Sequence, residues 1–444
     1  MATPFIIRNS FIQVGWKRFL TPCYLCVEKF SFANYNSLSH RNSDSALISK
    51  QTSFHKLNLA LHDSTESREG NSGSVPNHTE GSPTIQSIVE EAKESSVTAQ
   101  LEEMDFVGLS EIEKSALTSD DKPMLPKVNP QDTSVLLFPG QGSQFVGMCN
   151  DFLKYPNVSD MFEVASDLLR YDLKGLCVNG PKGDLDQTMY CQPAVFVTSL
   201  AAVEKLKAEN PQAIENCVTA AGFSVGEFAA LVFAGSLAFE EALYLIQVRA
   251  EAMQRASENV KTGMLSVVGR NKARYNYMCK EAATYCQNNG VNDALCRVAN
   301  YLYPDARVLA GNVEALDFIQ ERAKEFHLRL ARRLPVSGAF HTPFMESAQE
   351  RFNKALDKVT FQAPLINVHS NVDGRVYQNP KQIKEKLKKQ LTMPVKWEQT
   401  MHEIFERKKG VAFPKTYEVG PGKQLGTILQ RINLKAYEQY TKVS

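Results

Sequence analysis

Residues 220–228 read Ala-Ala-Gly-Phe-Ser-Val-Gly-Glu-Phe, a Gly-x-Ser-x-Gly set between an apolar segment and an Ala-rich run. That placement predicts a strand, a tight turn and a helix in succession. Gly222 and Gly226 flank Ser224 without β-carbons and let the chain turn sharply. Such a turn leaves the Ser224 hydroxyl exposed. It also sets the serine beside the N–H groups that open the helix, where an oxyanion develops during acyl transfer. Glycine and serine are equally at home in ordinary turns, so the pattern gains meaning only from the remainder of the chain.

The 444 residues are 43% hydrophobic and 22% charged, enough to bury one or two substantial cores. A formal net charge of +1 gives no bulk field for nucleic acid or an anionic membrane. No stretch reaches the ~20 apolar residues of a membrane span. Nine cysteines lie at irregular spacing between Cys23 and Cys296, which suits reduced thiols and not a disulfide framework. Cys23 and Cys26 form a Cys-x-x-Cys with no second pair, read as coincidence. No metal or other cofactor is expected.

The beginning of the chain reads as an address. Arg8, Lys17 and Arg18 come before any acidic residue, the first being Glu28, and serines and aromatics surround them. An acid-poor basic leader of this kind, over residues 1–43, is expected to be a transit peptide for the mitochondrial matrix. Residues 44–129 are rich in Ser, Asn, Gly, Thr and Glu and too poor in large apolar residues for a core, so a disordered linker is expected. His55, His62 and His78 fall in it without metal-ligand spacing. Pro123, Pro126 and Pro130 mark its end.

From Ser134 onward, short apolar runs alternate with polar helical segments, the pattern of an α/β fold with a mostly parallel sheet. Runs at 193–203 and 228–246 carry helical spacing. Two strand-like runs, from Gly263 and from Arg307, each adjoin a charged amphipathic helix. They predict a small α+β subdomain inserted at 260–333 into a main domain of 130–259 and 334–444.

Four further segments accompany the serine turn. Gly140-Gln-Gly-Ser-Gln144 follows the first strand but lacks both Gly-x-Gly-x-x-Gly spacing and a P-loop lysine. Its backbone can instead offer an N–H to a carbonyl oxygen, or simply turn. His341 sits in Gly-Ala-Phe-His-Thr-Pro, expected at the end of an apolar strand where a base is well placed, with a core or capping histidine as the plainer reading. Arg249 lies on an Ala-rich helix, where most arginines are solvated. Glu418-Val-Gly-Pro-Gly422 ends a strand in a glycine–proline turn.

Taken in order, these motifs over about residues 132–440 resemble the malonyl-CoA:acyl carrier protein transacylase family. The likeness is closest to its mitochondrial animal members, whose serine motif also reads Gly-Phe-Ser-Val-Gly-Glu. The resemblance implies an α/β-hydrolase-like core with an inserted ferredoxin-like α+β subdomain. It implies Ser224 as nucleophile and His341 as base, oriented by the main-chain carbonyl of Gln390. Gln141 and Val225 would supply oxyanion-hole N–H groups, and Arg249 would pair with malonate's free carboxylate. Malonyl-CoA and a phosphopantetheinylated acyl carrier protein would be the partners of a monomeric enzyme in mitochondrial type II fatty-acid synthesis, with no nucleic acid, membrane or cofactor. Many members carry His where this chain has Phe223, so any role of that histidine is missing here.

Two other classes compete. A serine thioesterase or esterase of the α/β-hydrolase type shares Gly-x-Ser-x-Gly, but its order is Ser…Asp/Glu…His, and no compelling acid precedes His341. A non-catalytic assembly protein on this fold would not need Ser224, His341 and Arg249 intact.

Overall fold

The computed structural model describes residues 129–443. The expected leader and nearly all of the linker lie outside them, as do Cys23, Cys26 and the three linker histidines.

Nine strands are present among the described residues: β1 (Ser134–Phe138), β2 (Cys217–Gly222), β3 (Thr262–Gly269), β4 (Cys296–Tyr303), β5 (Ala306–Asn312), β6 (Leu328–Arg333), β7 (Asn367–His369), β8 (Lys415–Val419) and β9 (Tyr440–Val443). Five of them form a wholly parallel sheet in the order β7-β2-β1-β8-β9. All five residues of β1 are buried, as a central strand covered on both faces requires. Val135 and Leu137 enter a core with Trp397, Met401, Leu425 and Leu429. Phe138 points the other way and meets Phe233, ring centroids 5.8 Å apart.

The helices that matter to the site are α1 (Thr188–Glu209), α2 (Gly226–Phe233), α3 (Phe239–Asn259), α4 (Tyr275–Asn288), α5 (Val313–Glu321), α6 (Glu346–Leu356), α7 (Pro380–Gln390), α8 (Trp397–Phe405) and α9 (Gln424–Ile432). The run at 193–203 lies inside α1 and is buried throughout, as a stretch that is largely apolar on every side should be. The run at 228–246 is not one helix. It breaks between α2 and α3, where Gly235 adopts a φ of 71° that suits a residue without a β-carbon.

Between α3 and α6 the chain builds a second sheet, antiparallel, in the order β4-β5-β3-β6. Helices α4 and α5 cover it, joining Leu265, Val267 and Leu309 to Met278, Cys286, Leu316 and Ile319 in one core. The β-α-β-β-α-β succession is ferredoxin-like. Sequence spacing predicts only β3 and β5. Strand β4 interrupts its apolar residues with Arg297 and Asn300, and β6 is an edge strand bearing Arg329, Arg332 and Arg333, the kind of charge that edges carry.

One expectation is corrected nearby. No strand leads directly into His341: β6 ends at Arg333, residues 334–340 are irregular, and Pro335 and Gly338 fit poorly in a ladder. The seven cysteines among the described residues are buried, and none of them forms a disulfide. No helix among those residues is long and apolar enough to cross a membrane.

Candidate active site

Strands β1 and β2 are neighbours, with Phe138 opposite Gly222, so the loops that leave their carboxyl ends run side by side. The chain after β2 bends at once into α2. A β-carbon on Gly222 would lie 2.0 Å from the Gly226 carbonyl carbon, and one on Gly226 would lie 2.3 Å from the Phe138 oxygen. Both positions therefore require glycine. Ser224 sits at the apex with φ 54°, in the left-handed region that a serine enters only under constraint. Asn371 supplies that constraint: its Oδ1 accepts from Ser224 N at 2.6 Å and its Nδ2 donates to Gly222 O at 2.7 Å.

The Ser224 hydroxyl faces His341, with Oγ 2.9 Å from Nε2. On the far side of the ring Nδ1 lies 2.8 Å from the Gln390 carbonyl oxygen, at the end of α7. A carbonyl can only accept, so Nδ1 carries the proton and Nε2 is left to accept from Ser224. Burial and the nearby Arg249 charge push His341 down to about 4, against hydrogen bonding to the Gln390 and Met393 backbone. The ring is neutral at physiological pH.

Arg249 is fully buried. It reaches from α3 into this pair: one terminal nitrogen donates to Gln192 Oε1 at 2.5 Å, the other to Ser224 Oγ and Gln390 Oε1, each at 3.0 Å. Its Nε has no hydrogen-bond partner among the described residues. Burial draws the guanidinium down to about 9, opposed by Glu227. A cation thus lies within one short acyl chain of a serine–histidine pair. Gln141, in the loop after β1, connects through its side chain to Gln192 at 3.3 Å and Thr188 at 3.1 Å. Val225 directly precedes α2, whose first three N–H groups, those of Gly226, Glu227 and Phe228, donate to the carbonyls of Phe223, Ser224 and Val225 at 2.9, 3.1 and 3.1 Å. Phe223 packs its ring 5.4 Å from that of Trp397 and adds no polar group.

Gln192, Asn371, Tyr377 and Glu227 also belong to this constellation, and sequence reasoning did not find them. Glu227 was visible beside the serine motif, but nothing local tells a buried glutamate from a solvated one in the first turn of a helix. The other three are ordinary polar residues that only the tertiary fold delivers. This arrangement can activate a hydroxyl, hold an anion near it and exclude bulk water from both.

Comparison with known proteins gives a consistent picture. The family model described as "acyl transferase domain" matches residues 135–415. The human mitochondrial malonyl-CoA-acyl carrier protein transacylase is 54% identical over 314 residues, covering 71% of this chain and 80% of that one. The malonyl CoA-acyl carrier protein transacylase of Coxiella burnetii superposes with a TM-score of 0.64 at 34% identity, covering 71% of this chain and 95% of that structure. A malonyl-transacylase solved in complex with its type II PKS acyl-carrier protein aligns at a TM-score of 0.62 and 30% identity, over 70% of this chain and 94% of its own.

Proposed function

Because the chain belongs to the acyl transferase family, and within it to the malonyl-CoA–acyl carrier protein transacylases, we propose that it moves malonyl from coenzyme A to a carrier-protein thiol in mitochondria, through an ester on Ser224. The observation that carries this reading is Arg249, a buried cation 3.0 Å from the hydroxyl that His341 contacts. His341 Nε2 takes the proton as Ser224 Oγ attacks the thioester carbonyl. The backbone N–H groups of Gln141 and Val225 receive the negative charge that forms on the carbonyl oxygen. Collapse of this intermediate expels the coenzyme A thiolate, which takes the proton from His341. The carrier's phosphopantetheine thiol then reverses each step, giving its proton to His341 and leaving as the new thioester while Ser224 regains its hydrogen.

Throughout, Arg249 holds the distal carboxylate of the acyl group, a pairing that favours malonyl over acetyl. Residues 260–333 form an inserted subdomain of this enzyme in our reading, and residues 1–43 its mitochondrial address. The human and mouse relatives' mitochondrial names agree with that address.

The test is an acyl-enzyme mass increase on incubation with malonyl-CoA, followed by its loss to holo-carrier protein. Ser224→Ala should form no adduct, and malonyl appearing on another residue of that variant would refute the assignment. Arg249→Ala should lose malonyl transfer by about 2–5 kcal/mol in kcat/KM while acetyl transfer loses little. Equal losses would make Arg249 a purely structural residue.

A further inference from the structure

Glu227 lies in the first turn of α2 and is 1% exposed. Three donors converge on its carboxylate: the Tyr377 hydroxyl and the Asn371 backbone N–H on Oε1, at 2.5 and 3.2 Å, and Gln390 Nε2 on Oε2, at 2.5 Å. The transfer steps above make no use of it. Its effect runs through Gln390, whose side-chain amide has one donating end and one accepting end. The donating end is committed to Glu227 and to the Ser224 carbonyl, the latter at 3.1 Å. The accepting end must then face the opposite way, and there it takes a hydrogen bond from Arg249 at 3.0 Å.

We propose that Glu227 is a positioning residue for malonyl selectivity: its anionic carboxylate fixes which way round the Gln390 amide sits, and so holds Arg249 where it meets the substrate's free carboxylate. The inference rests on the transfer reading of Ser224 and Arg249.

A glutamine at 227 keeps the shape but presents a donor to one of the three converging donors. The Asn371 N–H can only donate, so the new amide keeps its oxygen there and turns its NH2 towards Gln390, whose own amide must turn over. That aims an N–H at Arg249 and removes the acceptor the guanidinium leans on. A simpler role predicts the opposite sign. If Glu227 acts only as a nearby negative charge, it repels an incoming carboxylate, and its removal should favour malonyl.

The wild type samples both situations. Burial pushes Glu227 up to about 7, against the hydrogen bonds from Tyr377, Gln390 and Asn371 and the charge of Arg249. The other titratable groups around it are Arg249 from α3, Tyr377 from the segment after β7, and His341 beyond Gln390. Arg249 lies at about 9, Tyr377 well above its ordinary range and His341 at about 4. Of these four, Glu227 is the one that changes charge between about pH 5.5 and 8.

The experiment measures the malonyl-to-acetyl ratio of kcat/KM across that range for wild type, Glu227→Gln and Arg249→Ala. Effects on the serine–histidine pair or on general folding are common to both substrates and cancel in the ratio. The wild-type ratio should fall as pH drops through about 7. The Glu227→Gln ratio should be flat and at least about tenfold below the wild type at pH 8, the scale of one charge-assisted hydrogen bond. A ratio that rises, stays unchanged or conceals equal losses on both substrates overturns the proposal. Should Glu227→Gln fail to fold, the wild-type pH profile decides by the same signs. A wild type whose malonyl preference does not depend on Arg249 overturns the carboxylate-holding role of Arg249 in the proposed function, and this inference with it.

Discussion

At the scale of single residues, the proposed base is notable for how low it titrates. A solvated histidine changes charge near ~6.5, whereas burial and Arg249 bring His341 to about 4. A base works in its neutral form, so the depressed value extends its working range towards acid. With acetyl-CoA, whose acyl group carries no carboxylate, the acid limb of Ser224 acylation should centre near pH 4 to 5. Rapid-quench mass spectrometry across that range measures it, and a limb at 6.5 would show a solvated His341. Serine and histidine were both named beforehand, but through the order of the motifs and the family they resemble; taken alone, the glycine turn fits an ordinary turn and His341 a core or capping histidine. Tyr377 and Gln192 were not, since their polarity is unremarkable until folding buries it.

At the scale of elements, Glu418 shows what an ambiguous motif does. It is the last residue but one of β8 and fully buried, and its carboxylate accepts from the backbone N–H groups of Leu425 and Gly426 at 3.1 and 2.8 Å and from the Tyr440 hydroxyl at 2.6 Å. One side chain thus caps the start of α9 and ties it to β9. Glu418→Gln keeps the shape but replaces one accepting oxygen with a donor and removes a charge from the helix N-terminus. Urea denaturation should show a loss of about 1–2 kcal/mol; an unchanged midpoint would mean that the cap is dispensable. The glycine–proline turn was readable from sequence, but its purpose was not, because the capped groups lie beyond the turn. Strands β4 and β6 were missed for a related reason: charged residues at exposed positions hide the alternation that marks a strand.

At the scale of the whole molecule, the antiparallel sheet is fastened through β4 to the segment that leads into α8. Tyr301 N donates to Val395 O at 2.9 Å, and Val395 N donates to Ala299 O at 2.8 Å. Next to this bridge Arg307 meets Glu398 at 3.0 Å, with side chains 13% and 10% exposed, and its guanidinium lies 4.9 Å from the Tyr301 ring centroid. Removing one member of such a pair strands the other charge away from water. Arg307→Ala should therefore destabilise the fold by about 3–5 kcal/mol, read by equilibrium unfolding; a change below ~1 kcal/mol would mean the joint does not depend on the pair. The broad architecture was legible from alternating strand and helix patterns, whereas this joint was not, since nothing in either segment names its partner. The candidate site has the same long-range character: its hydrogen bonds link residues 117, 147 and 163 positions apart in the chain. No stretch of chain ending before His341 can assemble it. Acylation by malonyl-CoA thus doubles as a clock for folding, silent in every partly formed state and switched on only when the last long-range contacts close.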